Sequence, residues 1–127
     1  MIVAGHSAGG HLAVWAAHRT TLPEGAVSLA GTLDAVDVRH AAASPKGVPM
    51  LIVHDAADQV VPPSHSRSYA DAALAEGADV GYVEVPGADH LDVIDPGGAA
   101  WTAVRIWLGE RRSSSVLGGG AEPRRAR

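Results

Sequence analysis

Apolar residues in this chain fall into two patterns that take turns: short continuous runs, and looser stripes at helical spacing. Ile2 to Ala4 is a short run that breaks at Gly5. From Gly9 to about Thr20, Leu12, Trp15 and Ala16 recur with Ala13 and Ala17, which predicts a helix laying small residues on a sheet. Leu22, Pro23 and Gly25 punctuate its end. Ala26 to Ala30 reads as a strand closed by Gly31, and residues 32 to 47 are ambiguous, with a helical turn expected over Ala41 to Ser44 before Pro45. Val48 to Val53 is the clearest buried strand, and His54 to Asp58 follows as a loop. Ser64 is the expected N-cap of a helix reaching about Glu76, with Gly77 ending it. Val80 to Val85 alternates as a strand, and Pro86 to His90 forms a loop. A last helix is expected from about Gly98 to Arg111, with Trp101, Val104, Ile106 and Leu108 as its apolar positions. Strands that alternate with helices predict an α/β domain over residues 1 to 111, with about four parallel strands covered on both faces.

Composition narrows this picture. Alanine supplies much of the 46% apolar content and there is no Phe, so the core must rest on Val, Leu and Ile with three Trp. A formal net charge of −4 gives no electrostatic footprint for nucleic acid. No run of 18 apolar residues is present, so nothing in the sequence reads as a membrane span, and no basic region precedes the first strand as a signal peptide would need. Without cysteine there are no disulfides and no thiolate metal sites. The expectation is a cytoplasmic domain, and Ser-, Gly- and Arg-rich residues 112 to 127 read as a disordered tail.

The candidate chemistry gathers where strands end. Gly5-His6-Ser7-Ala8-Gly9 is a G-x-S-x-G sequence set between a strand and a helix, the context in which that pattern forms a nucleophile elbow. A strained turn would lift the Ser7 hydroxyl out of the sheet at a helix start, with Gly5 and Gly9 leaving room for strand and helix to approach. The Ala8 N–H is the expected oxyanion donor there. Asp58 and His90 each follow a later strand, in the Ser, Asp, His order expected after an elbow, so all three can meet on one rim of a parallel sheet. His90 is then the base and Asp58 the acid, with Asp55 as the rival acid. A metal site from His54, Asp55, Asp58 and His90 is a further reading, although no ligand spacing supports it. His6 and His11 are expected to serve packing and helix-start hydrogen bonds, while His18, His40 and His65 read as surface residues. Acyl transfer through serine needs no cofactor, and none is indicated.

These residues resemble the α/β-hydrolase family, and within it the kynurenine-formamidase and feruloyl-esterase-like branch. The resemblance rests on Gly5 to Ala13, Leu29 to Asp34, Val48 to Pro62, and Pro86 to His90 with Asp92 to Pro96. It implies a partial α/β-hydrolase fold and a hydrolase of carboxylic esters or aryl formamides, with Ser7 as nucleophile, Asp58 as acid and His90 as base. The chain departs from the family in three ways. The strands and His-Gly-Gly-type loop that precede the elbow are absent, the segment from Asp34 to Ser44 is shortened, and Asp55 stands where the family has glycine. Loss of that loop would remove half of the oxyanion hole, and loss of the neighbouring strands would leave Ile2 to Ala4 as an edge open to self-association. The alternative from another class is a catalytically silent remnant or interaction module that keeps the signature.

Overall fold

The computed structural model describes residues 1–20, 23–34 and 47–116, with side chains described as far as Arg111. Strands β1 (Ile2–His6), β2 (Gly25–Leu29), β3 (Met50–Asp55) and β4 (Val80–Val85) form one sheet in the order β1-β2-β3-β4. Every pairing is parallel, with Val3 opposite Ala26, Val27 opposite Leu51 and Ile52 opposite Tyr82. Helix α1 (Ala8–Arg19) follows β1, α2 (Pro63–Ala75) follows β3, and α3 (Ala99–Val116) follows β4 after a short 3₁₀ turn at Asp92–Ile94.

Alternation along β3 divides the core. Met50 and Ile52 face one side with Val14 and Ala17 of α1 and Tyr69 and Ala73 of α2. Leu51 and Val53 face the other with Val104 and Trp107 of α3. A strand buried on both faces must be apolar throughout, which is why Met50 to Val53 carries no polar residue.

Several boundaries and faces differ from expectation. Strand β3 runs on through His54 and Asp55, because its ladder with β4 extends to Asp55 opposite Val85. Helix α2 starts one residue before Ser64 and makes no side-chain cap; Pro63 opens it, where a missing N–H costs nothing. Gly77, at φ +82°, ends that helix region as expected. In α1 the core face is Ala13, Val14, Ala17 and His18, leaving Leu12 60% and Trp15 38% exposed. In α3 it is Ala100, Val104 and Trp107, with Ile106 60% exposed, and the helix continues five residues past Arg111. His18 is buried rather than at the surface, with its Nε2 against the Tyr69 hydroxyl. The expected turn at Ala41 to Ser44, His40 and the tail from 117 on lie outside the described residues. No helix among the described residues is long and apolar enough to cross a membrane.

Candidate active site

Local geometry around Ser7 follows from its sequence. The strand-to-helix reversal takes one residue, so Ser7 adopts φ 58° and ψ −119°, a left-handed backbone that costs a non-glycine residue about 1–3 kcal/mol. Its N–H donates to Leu29 O at 2.9 Å, tying it to β2, and its carbonyl accepts from Gly10 N at 2.9 Å, starting α1. Close approach of strand and helix here falls on a different glycine pair from the one expected. A Cβ on Gly5 would sit 2.0 Å from Gly9 O, and one on Gly10 would sit 2.7 Å from Ser28 Oγ and 2.9 Å from Gly31 Cα. At Gly9 a Cβ would meet nothing within 4 Å. Gly10, not Gly9, faces the sheet, because the helix phase turns Gly9 outward. Ala8 is the first residue of α1, so its N–H is one of the donors that a helix leaves without an internal acceptor.

Ser7, Asp58 and His90 come together over the carboxyl ends of the strands. His90 Nε2 stands 3.1 Å from Ser7 Oγ, and His90 Nδ1 stands 2.6 Å from Asp58 Oδ2. An ionised carboxylate only accepts, so Nδ1 carries the proton and Nε2 of the neutral ring is left to accept from the serine hydroxyl. Asp58 Oδ1 accepts from Val60 N and Val61 N, each at 2.8 Å. Burial works against the charge on Asp58, but hydrogen bonds from His90, Val61 and Val60 outweigh it and hold the carboxyl below the usual carboxylate range. The loop that carries His90 is joined to the loop that carries Asp58 by Ala57 N donating to Ala88 O at 3.0 Å and Ala56 N donating to Val85 O at 2.9 Å.

Period 2 along β3 separates Asp55 from the contact between Asp58 and His90. Asp55 follows Leu51 and Val53 to the α3 face, where it lines a cavity of 240 Å³ with Pro86, Asp92, Asp95 and Ala99. Both of its carboxylate oxygens are buried and neither has a partner among the described residues. Burial first, then the nearby charges of Asp58 and Asp92, push its carboxyl up to about 6. His54 follows Met50 and Ile52 to the opposite face and is fully buried beside α2. Its Nδ1 lies 2.6 Å from Ser66 Oγ and its Nε2 lies 2.8 Å from Val61 O. The four residues of the metal reading therefore do not converge. Both nitrogens of His54 are engaged, Asp55 faces away, and no group of three or more candidate ligands is arranged for a metal among the described residues.

Two histidines play parts that the sequence did not disclose. His6 Nε2 stands 2.9 Å from His90 O, and since a carbonyl only accepts, His6 donates. The two rings lie with centroids 4.8 Å apart. His6 sits on β1 and His90 follows β4, so this bond ties the two edges of the sheet across its top. His54 braces the far end of the loop that carries Asp58 through Val61. Neither contact has a local sequence signature: both join residues that only the fold makes neighbours. Of the remaining histidines, His65 is half-buried, with Nε2 3.9 Å from Asp34 Oδ2.

No protein-family model matches the chain, and no curated protein matches its sequence. Solved structures match it in fold. Esterase PE8 superposes with a TM-score of 0.72 over 86% of this chain and 49% of its own, at 22% identity. Esterase 2 of Thermogutta terrifontis gives 0.63 over 92% of this chain and 55% of its own, also at 22% identity. The acylaminoacyl peptidase of Pyrococcus horikoshii gives 0.69 over 87% of this chain and 23% of its own, at 18% identity. The architecture is thus a partial α/β-hydrolase fold: the chain spans about half the length of the two esterases and about a quarter of the peptidase.

Proposed function

We propose that this chain is a serine hydrolase of carboxylic esters or aryl formamides, with Ser7 as nucleophile, His90 as general base and Asp58 as the orienting acid. The observation that carries the reading is the unbroken contact series from Asp58 Oδ2 to His90 Nδ1, 2.6 Å, and from His90 Nε2 to Ser7 Oγ, 3.1 Å. In this reading Ser7 Oγ attacks the acyl carbon as its proton passes to His90 Nε2. The new imidazolium is stabilised by Asp58, whose charge the Val60 and Val61 N–H groups hold in place. The tetrahedral oxyanion forms beside the Ala8 N–H at the positive end of α1. Collapse sends the proton from Nε2 to the leaving group and leaves an acyl-Ser7 ester, which water, deprotonated in turn by His90, hydrolyses.

The choice of ester or aryl formamide rests on the sequence resemblance alone. A second reading is a silent remnant or interaction module: Ala8 N–H at the start of α1 is the one oxyanion donor that the elbow itself assigns, and a site short of one donor typically loses about 10²–10³ in rate. Labelling of the folded chain by a fluorophosphonate probe decides between the two. Labelling that disappears in Ser7→Ala and His90→Ala supports the hydrolase. A folded chain that takes no label at Ser7 is the silent module.

A further inference from the structure

Behind Asp58 the hydrogen-bonded series continues into the interior. His54 Nε2, which points at Val61 O, is also 3.2 Å from Asp58 Oδ2, the same oxygen that His90 engages from the other side. Val61 O and the carboxylate are both acceptors, so the proton of His54 must reside on Nε2. Nδ1 is then an acceptor, and the Ser66 hydroxyl 2.6 Å away is the donor that completes it. His54, Ser66 and the Asp58 side chain are all fully buried, so no water competes for these positions. Burial, opposed by Val61 and Asp58, keeps His54 below its ordinary pKa and hence neutral.

We propose that His54, held in its Nε2–H form by Ser66, is a positioning residue for the proposed triad, fixing the Asp58 carboxylate between the acid loop and His90. It rests on the serine-hydrolase reading above. The geometry gives it two handles on Asp58. Through Val61 O it anchors the residue whose own N–H grips Oδ1. Through the shared proximity of Nε2–H to Oδ2 it flanks the oxygen that faces His90. With Oδ1 held by two backbone donors and Oδ2 set between two imidazoles, the carboxylate plane has no free rotation. The series Ser66–His54–Asp58–His90–Ser7 thus runs from the start of α2 to the elbow, and α2 becomes part of the catalytic support. The other ionisable groups near it are Glu84, paired with His54 in the β3–β4 register and engaged by Arg67 and Tyr82, and Asp55 on the opposite face.

The N–H beside Oδ2 draws charge from the carboxylate. Without it Asp58 holds the imidazolium more tightly, and Ser7 needs a higher pH to react. A merely structural loss lowers reactivity equally at every pH. The test combines the pH profile of fluorophosphonate labelling at Ser7 with ¹⁵N NMR of the histidine rings in wild type, His54→Leu, His54→Gln and Ser66→Ala. In wild type the His54 proton is expected on Nε2. His54→Leu is expected to label roughly tenfold more slowly near neutral pH, the scale of one hydrogen bond to a charged group, with its acid limb displaced upward. His54→Gln, which returns an amide N–H near the Nε2 position, is expected to restore both rate and midpoint. Ser66→Ala is expected to mix the His54 tautomers and fall between. A labelled wild type with unmoved midpoints in His54→Leu, or with the His54 proton on Nδ1, overturns the positioning role alone. A wild type with the proton on Nε2 that never labels overturns the hydrolase reading, and this role with it.

Discussion

Asp58 Oδ2 and His90 Nδ1 meet at 2.6 Å, although 32 residues separate them and each lies in a loop. Two backbone donors hold the other oxygen of Asp58, so the carboxylate reaches His90 already oriented. Asp55 is near in sequence yet on the far face of β3. Asp58→Asn should therefore lower the fluorophosphonate labelling rate by about 10⁴, the scale of losing a triad acid through the wrong imidazole tautomer. Asp55→Asn should retain labelling within about threefold. The reverse pattern in a stopped-time labelling assay would make Asp55 the acid.

Asp55 should instead govern stability against pH. Its carboxyl, pushed up to about 6, lies above its value in the unfolded chain, so the folded state holds a proton that the unfolded state has already lost. Its contribution is fully present below about pH 4 and is lost as the pH rises through about 6, amounting to at most about 3 kcal/mol. Asp55→Asn should match wild type in urea unfolding at pH 4 and exceed it at pH 8. Equal differences at both pH values would show that the carboxyl titrates in the folded chain as it does in the unfolded one.

His6 should matter to the site without touching substrate. Its hydrogen bond to His90 O is the tie between β1 and the base loop. His6→Ala should lose about 1 kcal/mol of stability and slow labelling of Ser7 by several-fold. His6→Gln or His6→Asn should recover part of both. Unchanged labelling in a folded His6→Ala chain would mean that the acid loop alone holds His90 in place.

The three elbow glycines should respond differently to alanine. At Gly5 a methyl group would lie 2.0 Å from a backbone oxygen, so Gly5→Ala should prevent folding. At Gly10 the neighbours are a serine side chain and backbone, and Gly10→Ala should destabilise by about 1–3 kcal/mol. At Gly9 the space is open, and Gly9→Ala should be neutral or stabilise by up to about 1 kcal/mol through helix propensity. Thermal unfolding of the three variants checks the order.

Strand β1 stands at the edge of the sheet, with Ile2 and Ala4 exposed along it. Unpaired backbone at an apolar edge favours association, so the chain should show concentration-dependent self-association in analytical ultracentrifugation. Ile2→Lys should reduce it. A monomer at every concentration would show that the edge is protected.

The sequence alone determined whatever depends on neighbouring residues. The elbow was legible because Gly5 to Gly9 sits between a β-branched run and a helix, and that local context dictates the strained turn at Ser7. The parallel sheet was legible because its apolar runs are too short for helices and are separated by helical stripes. Asp58 and His90 could be nominated from their order after strand ends, since parallel strands deliver all their carboxyl ends to one rim. Tertiary structure decided whatever depends on which face meets which neighbour. Extending β3 one residue past Val53 places His54 on the α2 face, and a second residue sends Asp55 to α3, yet the end of a strand is set by its partner β4. The choice of Trp107 over Ile106 for the core depends on how α3 rotates against the sheet, and one residue turns a helix by about 100°. The ties of His6 to His90 and of His54 to Ser66 and Val61 join residues brought together only by the fold, so no spacing along the chain could announce them.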